Sequence, residues 1–166
     1  MNLKIKKILE QHLKEAHKIY NFYIVNSYSN FEEKKISFND FYNNYKEVNN
    51  NKLPYLVALN NEKVVGIAYL KKFRDKSGYK FAFENTVYVH HAYVKHGIGY
   101  KLLKELLIIS KKSKKIKIIV AVIAGINSKA SLKIHEKNGF KNSGILKKIG
   151  FKKGKWIDSI LMQKNI

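Results

Sequence analysis

The sequence predicts a single mixed α/β domain over residues 1–166, with a central mixed twisted sheet of about seven strands flanked by about four helices. Three observations predict it. Segments of two-residue apolar repeat alternate with segments of three-to-four-residue repeat, in the order β-α-α-β-β-β-α-β-α-β-β. A continuous apolar run, Ile116 to Ile123, reads as a central strand buried on both faces. The run Thr86-Val-Tyr-Val89 leads through a Gly-x-Gly turn at Gly97 and Gly99 into an amphipathic helix. Strand, glycine turn and helix N-terminus is a layout that binds phosphate, because the turn exposes backbone N–H groups beside the positive end of the helix dipole.

Each element has its own local signal. Residues 2–7 read as a short strand, and Gln11 to Val25 as a helix with Leu13, Ala16, Ile19, Tyr20 and Tyr23 on one side. A polar, aromatic-bearing loop follows from Asn26 to Lys35. Ser37 is the predicted N-cap of a helix carrying Phe38, Phe41, Tyr42 and Tyr45, which Asn49-Asn-Asn51 ends. Tyr55 to Leu59 and Val64 to Leu70 read as a hairpin turning at Asn60-Asn61. After a charged loop and a Ser77-Gly78 turn, Tyr79 to His90 is a strand that carries Glu84. Gly97 to Lys111 is the next helix, with Ile98, Leu102, Leu103, Leu106 and Leu107 on one face. Ser128 to Asn138 is the last helix, closed by Asn138-Gly139. Phe140 to Phe151 and Lys155 to Gln163 are the final strands, joined around Gly154.

Composition narrows the function classes. The absence of cysteine excludes disulfides, thiol catalysis and Cys-ligated zinc, and fits a reducing cytoplasm. The formal net charge is +21, yet 32 of the 33 basic residues are lysine and Arg74 is the lone arginine. Arginine is the preferred residue for bidentate recognition of bases and phosphates. A chain rich in lysine, asparagine and isoleucine is better explained by AT-rich coding than by a nucleic-acid partner. There is no signal-peptide h-region and no apolar run near the ~20 residues that span a bilayer, so the expected location is cytoplasmic, with no membrane partner. His90 and His91 are adjacent in a predicted strand and so point to opposite faces. The six histidines form no metal constellation, and no metal is expected.

The ordered set of motifs resembles the GNAT superfamily of acyl-CoA-dependent N-acetyltransferases, and within it the phosphinothricin acetyltransferase-like branch. The resemblance runs from Ile19-Tyr-Asn to Met162-Gln163. It rests on Asn30-Phe31, Val65-Gly-Ile-Ala-Tyr69, Phe73-Arg74 followed by Gly78-Tyr79, and above all Glu84-x-Thr86-Val-Tyr-Val89. Later come Val120-Ala-Val-Ile123, His135-Glu136-x-x-Gly139-Phe140 and Gly150-Phe-Lys-x-Gly154-x-Trp156-x-Asp158. The chain departs from the branch in three places. Val94 opens the segment Val94-Lys-His-Gly-Ile-Gly99, where the family has a polar residue. Asn127 stands four residues before Ser131 where the branch has three, so either Asn127 is displaced by an inserted residue or Ser128 replaces it. Lys34-Lys35 stands in the first loop where an acid-proline pair is common.

The resemblance implies acetyl-CoA as cosubstrate, a small-molecule amine as acceptor, and a homodimer. The acceptor class is the α-amine of a small amino acid or an analogue such as phosphinothricin, methionine sulfone or methionine sulfoximine. A protein N-terminus, a polyamine or an aminoglycoside is the enzymatic alternative, and a basic nucleic-acid-binding module the non-enzymatic one. An ammonium must lose a proton before it can attack a thioester, and Glu84 corresponds to the branch's proposed base. Its other reading is a strand-edge carboxylate in an ion pair. The backbone of Val87, Tyr88 and Val89 is expected to pair with the pantetheine arm and to polarise the thioester oxygen. Lys95, His96, Gly97, Ile98, Gly99 and Tyr100 are expected to hold the pyrophosphate, mostly through backbone N–H groups. Asn127 and Ser131 are candidates for contact with the coenzyme arm. His135 falls near the departing thiolate, where it either donates a proton or orients a neighbour. Phe31, Arg74, Lys76 and Tyr79 fall where the branch builds its acceptor pocket. Trp156 and Asp158 read as packing or dimer contacts.

Overall fold

The structure is a computed structural model describing residues 1–166, and its strands form one sheet in the order β1-β2-β3-β4-β5-β7-β6. The strands are β1 (Leu3–Lys7), β2 (Tyr55–Asn60), β3 (Lys63–Lys72), β4 (Ala82–Val89), β5 (Ile118–Ala124), β6 (Lys141–Lys152) and β7 (Lys155–Asn165). The helices are α1 (Leu13–Asn26), α2 (Phe38–Asn50), α3 (Ile98–Lys111) and α4 (Lys129–Lys137). All neighbouring strands are antiparallel except β4 and β5. Seven strands and four helices in this order are the predicted architecture.

Register decides which side chain faces which layer, since directly opposed residues share a face. Gly66, Ala68 and Leu70 of β3 oppose Val89, Val87 and Asn85 of β4. These face α3 and α4: the Asn85 amide reaches His135 on α4, and a Cβ on Gly99 of α3 would lie 3.5 Å from Val89 Cγ2. Ile67, Tyr69 and Lys71 oppose Tyr88, Thr86 and Glu84 and face α1 and α2. There Tyr88 stacks on Tyr23 at 4.9 Å and meets Tyr20 edge-on at 5.6 Å. The α3 stripe Ile98, Leu102, Leu103, Leu106 and Leu107 is fully buried against β2 to β4. At roughly 1.5–3 kcal/mol per large apolar side chain, this stripe is a main anchor of the glycine turn that precedes it.

Ser37 caps α2 as expected, its Oγ accepting from the Asp40 N–H at 3.0 Å. Gly139 closes α4 at φ +82, its N–H reaching the Glu136 carbonyl. The β2–β3 turn falls one residue later than predicted, at Asn61-Glu62 (φ +47 and +65), because Asn60 pairs with Lys63 and the tight turn needs positive φ at both central positions. Strand β4 starts at Ala82, since Ser77–Tyr79 forms a 3₁₀ turn. It ends at Val89, which corrects the reading of the two histidines. His90 and His91 lie beyond the strand, where its alternation no longer applies, and their rings stack at 4.4 Å. Strand β6 is interrupted by irregularities at 142/144 and 146/150, which sequence alternation did not reveal. Asp158 pins the second one, accepting from the Lys148 N–H and from Lys147 Nζ, and these bonds pull its carboxyl below the usual range.

Candidate active site

Strands β4 and β5 pair over only three positions, ending at Glu84 opposite Val120. Beyond that rung β5 pairs with β7 alone and β4 with β3 alone, so the two strands part and leave an open edge. Main-chain groups alternate in direction along a strand. The bonds Phe73 N–H to Ala82 O and His90 N–H to Val65 O set the phase, so Val87 and Val89 turn their N–H and C=O groups toward the open edge. Tyr88 is a correction: its main chain is turned to Ile67 of β3, and its ring packs between α1 residues. The Val89 carbonyl is taken by the Tyr23 hydroxyl at 2.6 Å. Burial raises the pKa of that hydroxyl, keeping it a donor.

The open edge runs into the glycine turn. Lys95 and Gly97 both have positive φ (+67 and +74), and α3 begins at Ile98. The N–H groups of His96, Gly97, Ile98, Gly99 and Tyr100 find no acceptor within the chain. Consecutive free N–H groups at a helix start form a cradle for an anion. Gly97 takes its φ of +74 without the strain a side chain would carry there. Gly99 has ordinary helical backbone, and a Cβ there would rest 3.4–3.9 Å from Ile134, Val89 and Val87. The Ile98 side chain is core, so only its N–H faces the turn, whereas Lys95 and His96 are exposed beside it. A cradle for phosphates continuous with an unpaired strand edge fits a coenzyme with a pyrophosphate and an amide-bearing arm.

Glu84 sits on the last rung, half-buried, on the α1/α2 face. Its Oε1 lies 3.5 Å from Nζ of Lys71, its register partner on β3. An ion pair this exposed contributes about 0.2–1 kcal/mol. It is weak enough for an incoming ammonium to replace the lysine. Lys71 also lines a cleft of about 210 Å³ between the sheet, α2 and the first loop, with Tyr20, Glu32, Asn44, Glu47 and Tyr69 among its walls. Burial pushes the Tyr69 and Tyr88 hydroxyls well above their usual pKa, so both stay neutral donors.

On the opposite face, His135 is 3 % exposed with both ring nitrogens engaged. The Ser131 carbonyl can only accept, so Nδ1 carries the proton and donates at 2.8 Å. Nε2 then accepts from the Asn85 amide at 2.9 Å. Burial holds the imidazole below its usual pKa, against the pull of the Ser131 carbonyl. Asn85 Oδ1 is buried without a partner. Ser131 thus meets His135 through its carbonyl, while Asn127, at φ +56, is exposed just before α4.

Of the predicted acceptor residues, Arg74 and Tyr79 meet each other, but outside the cleft. Arg74 lies over the rings of Phe73 and Tyr79 at 5.3 and 6.0 Å, Lys76 is exposed, and neither they nor Tyr79 line the cleft. Phe31 lies against Gly150 of β6, where a Cβ would overlap its ring. Beside it Lys152, 1 % exposed, donates from Nζ to the Asn30 carbonyl, and the Asn30 Oδ1 accepts from the Glu32 N–H at 2.8 Å. Burial, with Lys153 beside it, pushes the Lys152 ammonium below the usual lysine range. The β6–β7 hairpin therefore holds the loop that delivers Glu32 to the cleft. Sequence reading missed Lys71, Tyr23, Asn85 and Lys152. The first three act through strand register and layer packing, which have no local signal, whereas Lys152 stands inside the motif that runs from Gly150 to Asp158.

Comparison with known proteins agrees with this geometry. The family described as acetyltransferase (GNAT) domain matches residues 5–161. A phosphinothricin N-acetyltransferase from Alcaligenes faecalis is 38 % identical over 112 residues, 68 % of this chain and 56 % of that protein, so the match spans little more than half of that relative's length. A phosphinothricin acetyltransferase from Sinorhizobium meliloti, solved with acetyl-CoA, superposes with TM-score 0.94 at 29 % identity, covering 100 % of this chain and 89 % of that one. A ribosomal-protein-alanine N-acetyltransferase from Brucella melitensis superposes with TM-score 0.94 at 31 % identity, covering 98 % and 99 %. With the family matched over nearly its whole length and the parted strands and free N–H cradle in place, this chain belongs to the GNAT acetyltransferase family.

Proposed function

We propose that this chain moves an acetyl group from acetyl-CoA to the primary amine of a small amino acid or analogue of the phosphinothricin or methionine sulfone type, by direct attack in a ternary complex. The observation that carries the reading is the position of Glu84 on the last β4–β5 rung, where the open edge begins, paired with Lys71 of the cleft wall. Bound acetyl-CoA supplies an activated acyl carbonyl. The His96 to Tyr100 N–H groups hold its pyrophosphate, and the Val87 main chain faces its arm and offers an N–H to the developing oxyanion. From the other face of the sheet the acceptor presents its ammonium to Glu84. Glu84 takes one proton, which frees the nitrogen lone pair. One N–C bond replaces one C–S bond, and the products are the amide, a free thiol and one released proton. His135 serves by holding Asn85 in place, because its nitrogens are already engaged.

A protein N-terminus is the second reading, favoured by the name of the Brucella relative. Purified protein is assayed for thiol release from acetyl-CoA with amino acids, their sulfone and phosphinate analogues, an alanine-terminated peptide, polyamines and aminoglycosides. Turnover with the free amino acids supports the first reading; turnover with the peptide alone replaces it with the second. Silence everywhere, without a coenzyme-induced rise in melting temperature, refutes both. We also place the chain in the cytoplasm and as a homodimer. No helix is long and apolar enough to cross a membrane. The edge strand β6 exposes Ile145, Leu146, Ile149 and Phe151 beside Trp156, an apolar edge suited to a second copy.

A further inference from the structure

We propose that Lys71 is the ligand for the acceptor's α-carboxylate, so that an α-amino acid enters by inserting its two charges against the Lys71–Glu84 pair. This rests on the acetyl-transfer reading above and adds the residue that selects the acceptor. Three observations carry it. Lys71 and Glu84 are register partners on one face of the sheet, 3.5 Å apart, with the lysine half exposed and the carboxylate more sheltered. Lys71 forms part of the wall of the 210 Å³ cleft, so its stem reaches from the acceptor's space to the candidate base. The cations assigned to the acceptor from sequence, Arg74 and Lys76, are not in that wall, and Arg74 is spread over two aromatic rings.

The chemistry follows from charge order. In the free protein Lys71 neutralises Glu84. An α-amino acid carries an ammonium and a carboxylate on one carbon, a spacing close to that of the pair itself. Placed against it, the ammonium takes the lysine's position at Glu84 and the carboxylate pairs with the displaced Nζ. The four charges then alternate in sign, and no charge loses a partner on binding. An amine without a neighbouring anion must instead separate the pair and leave Lys71 facing it, a like-charge contact. Lys71 therefore favours free α-amino acids over peptide N-termini and amides. The cleft is smaller than the roughly 300–1,000 Å³ of sites for drug-sized ligands, which suits such an acceptor.

The test compares the best amino-acid acceptor of the panel with its own α-carboxamide, in wild type, Lys71→Met and Lys71→Arg. Wild type is expected to prefer the acid over the amide in kcat/KM. Lys71→Met should lower kcat/KM for the acid by roughly ten- to hundredfold, the range for losing a hydrogen bond between charged groups, mainly through KM. For the amide kcat/KM should rise, because no lysine competes with its ammonium for Glu84. The KM for acetyl-CoA should change little, and Lys71→Arg should restore most of the preference for the acid. If acid and amide fall together in Lys71→Met, the lysine acts only on Glu84 and the proposal is wrong. It is equally wrong if Lys71→Met keeps the full preference for the acid. If wild type acetylates no amino acid but does acetylate the peptide, this proposal and the amino-acid reading fail together.

Discussion

Replacing Glu84 by Gln separates a catalytic carboxylate from a structural one by magnitude. The side chain keeps its size and its place on the last β4–β5 rung, and loses its charge and its ability to hold a transferred proton. What it loses structurally is bounded by one ion pair, with Lys71 at 3.5 Å. Coulomb's law at that distance with water-like screening gives about 1.2 kcal/mol, before the entropy of holding a lysine still is subtracted. A structural role can therefore change any equilibrium or rate by roughly eightfold at most. A positioned general base contributes roughly 10²–10⁴ in rate. The expected result is a fall in kcat of more than a hundredfold, with melting temperature and acetyl-CoA affinity nearly unchanged. The assay is steady-state thiol release across pH, paired with calorimetric titration of the coenzyme. Activity of the Gln variant should recover as pH approaches the pKa of the acceptor amine, where the lone pair is already free. A loss of tenfold or less, or parallel loss of stability and coenzyme binding, would refute the base assignment.

Other outcomes follow from the same geometry. Gly97→Ala forces a Cβ into the left-handed region at φ +74, which costs about 1–2 kcal/mol, and the turn relaxes away from its free N–H groups. Acetyl-CoA binding should weaken about tenfold by calorimetry with little change in kcat at saturation. Gly150→Val drives a side chain into the Phe31 ring and moves the loop that Lys152 and Asn30 hold. The KM for the acceptor should rise while that for acetyl-CoA stays, and equal changes in both would show that the hairpin does not buttress the acceptor side. His135 is held below its usual pKa by burial, and so are His12 and His90. The unfolded chain therefore binds protons that the folded chain resists, so stability is full above pH about 6.5 and falls as pH drops below it. Thermal melts from pH 8 to 5 should show this loss, and Asn85→Asp should remove the His135 share by placing a carboxylate against Nε2; an identical acid loss in the variant would refute the assignment.

The parts of this protein legible in its sequence are those governed by near neighbours in the chain. Periodicity located all seven strands and four helices, because a helix or strand must present an apolar face and its repeat shows in the residues themselves. Ser37, Gly139 and the Gly97 turn were legible because caps and positive φ demand particular residue types. Glu84 and the glycine turn were found together as motifs of one short segment. Other features depended on which strand lies beside which. The partner of Glu84 is Lys71 because β3 and β4 pair in one register, and a shift by one residue would turn Lys71 to the other face. Tyr88 lost its expected main-chain role to the same alternation. His135 became a residue with no free nitrogen because α4 lies over Asn85 on the sheet. The sequence thus carries the elements, the anion cradle and the candidate base, since these are local. The open edge, the cleft and its cation arise only where β4 and β5 part, a property of paired strands that no single segment contains.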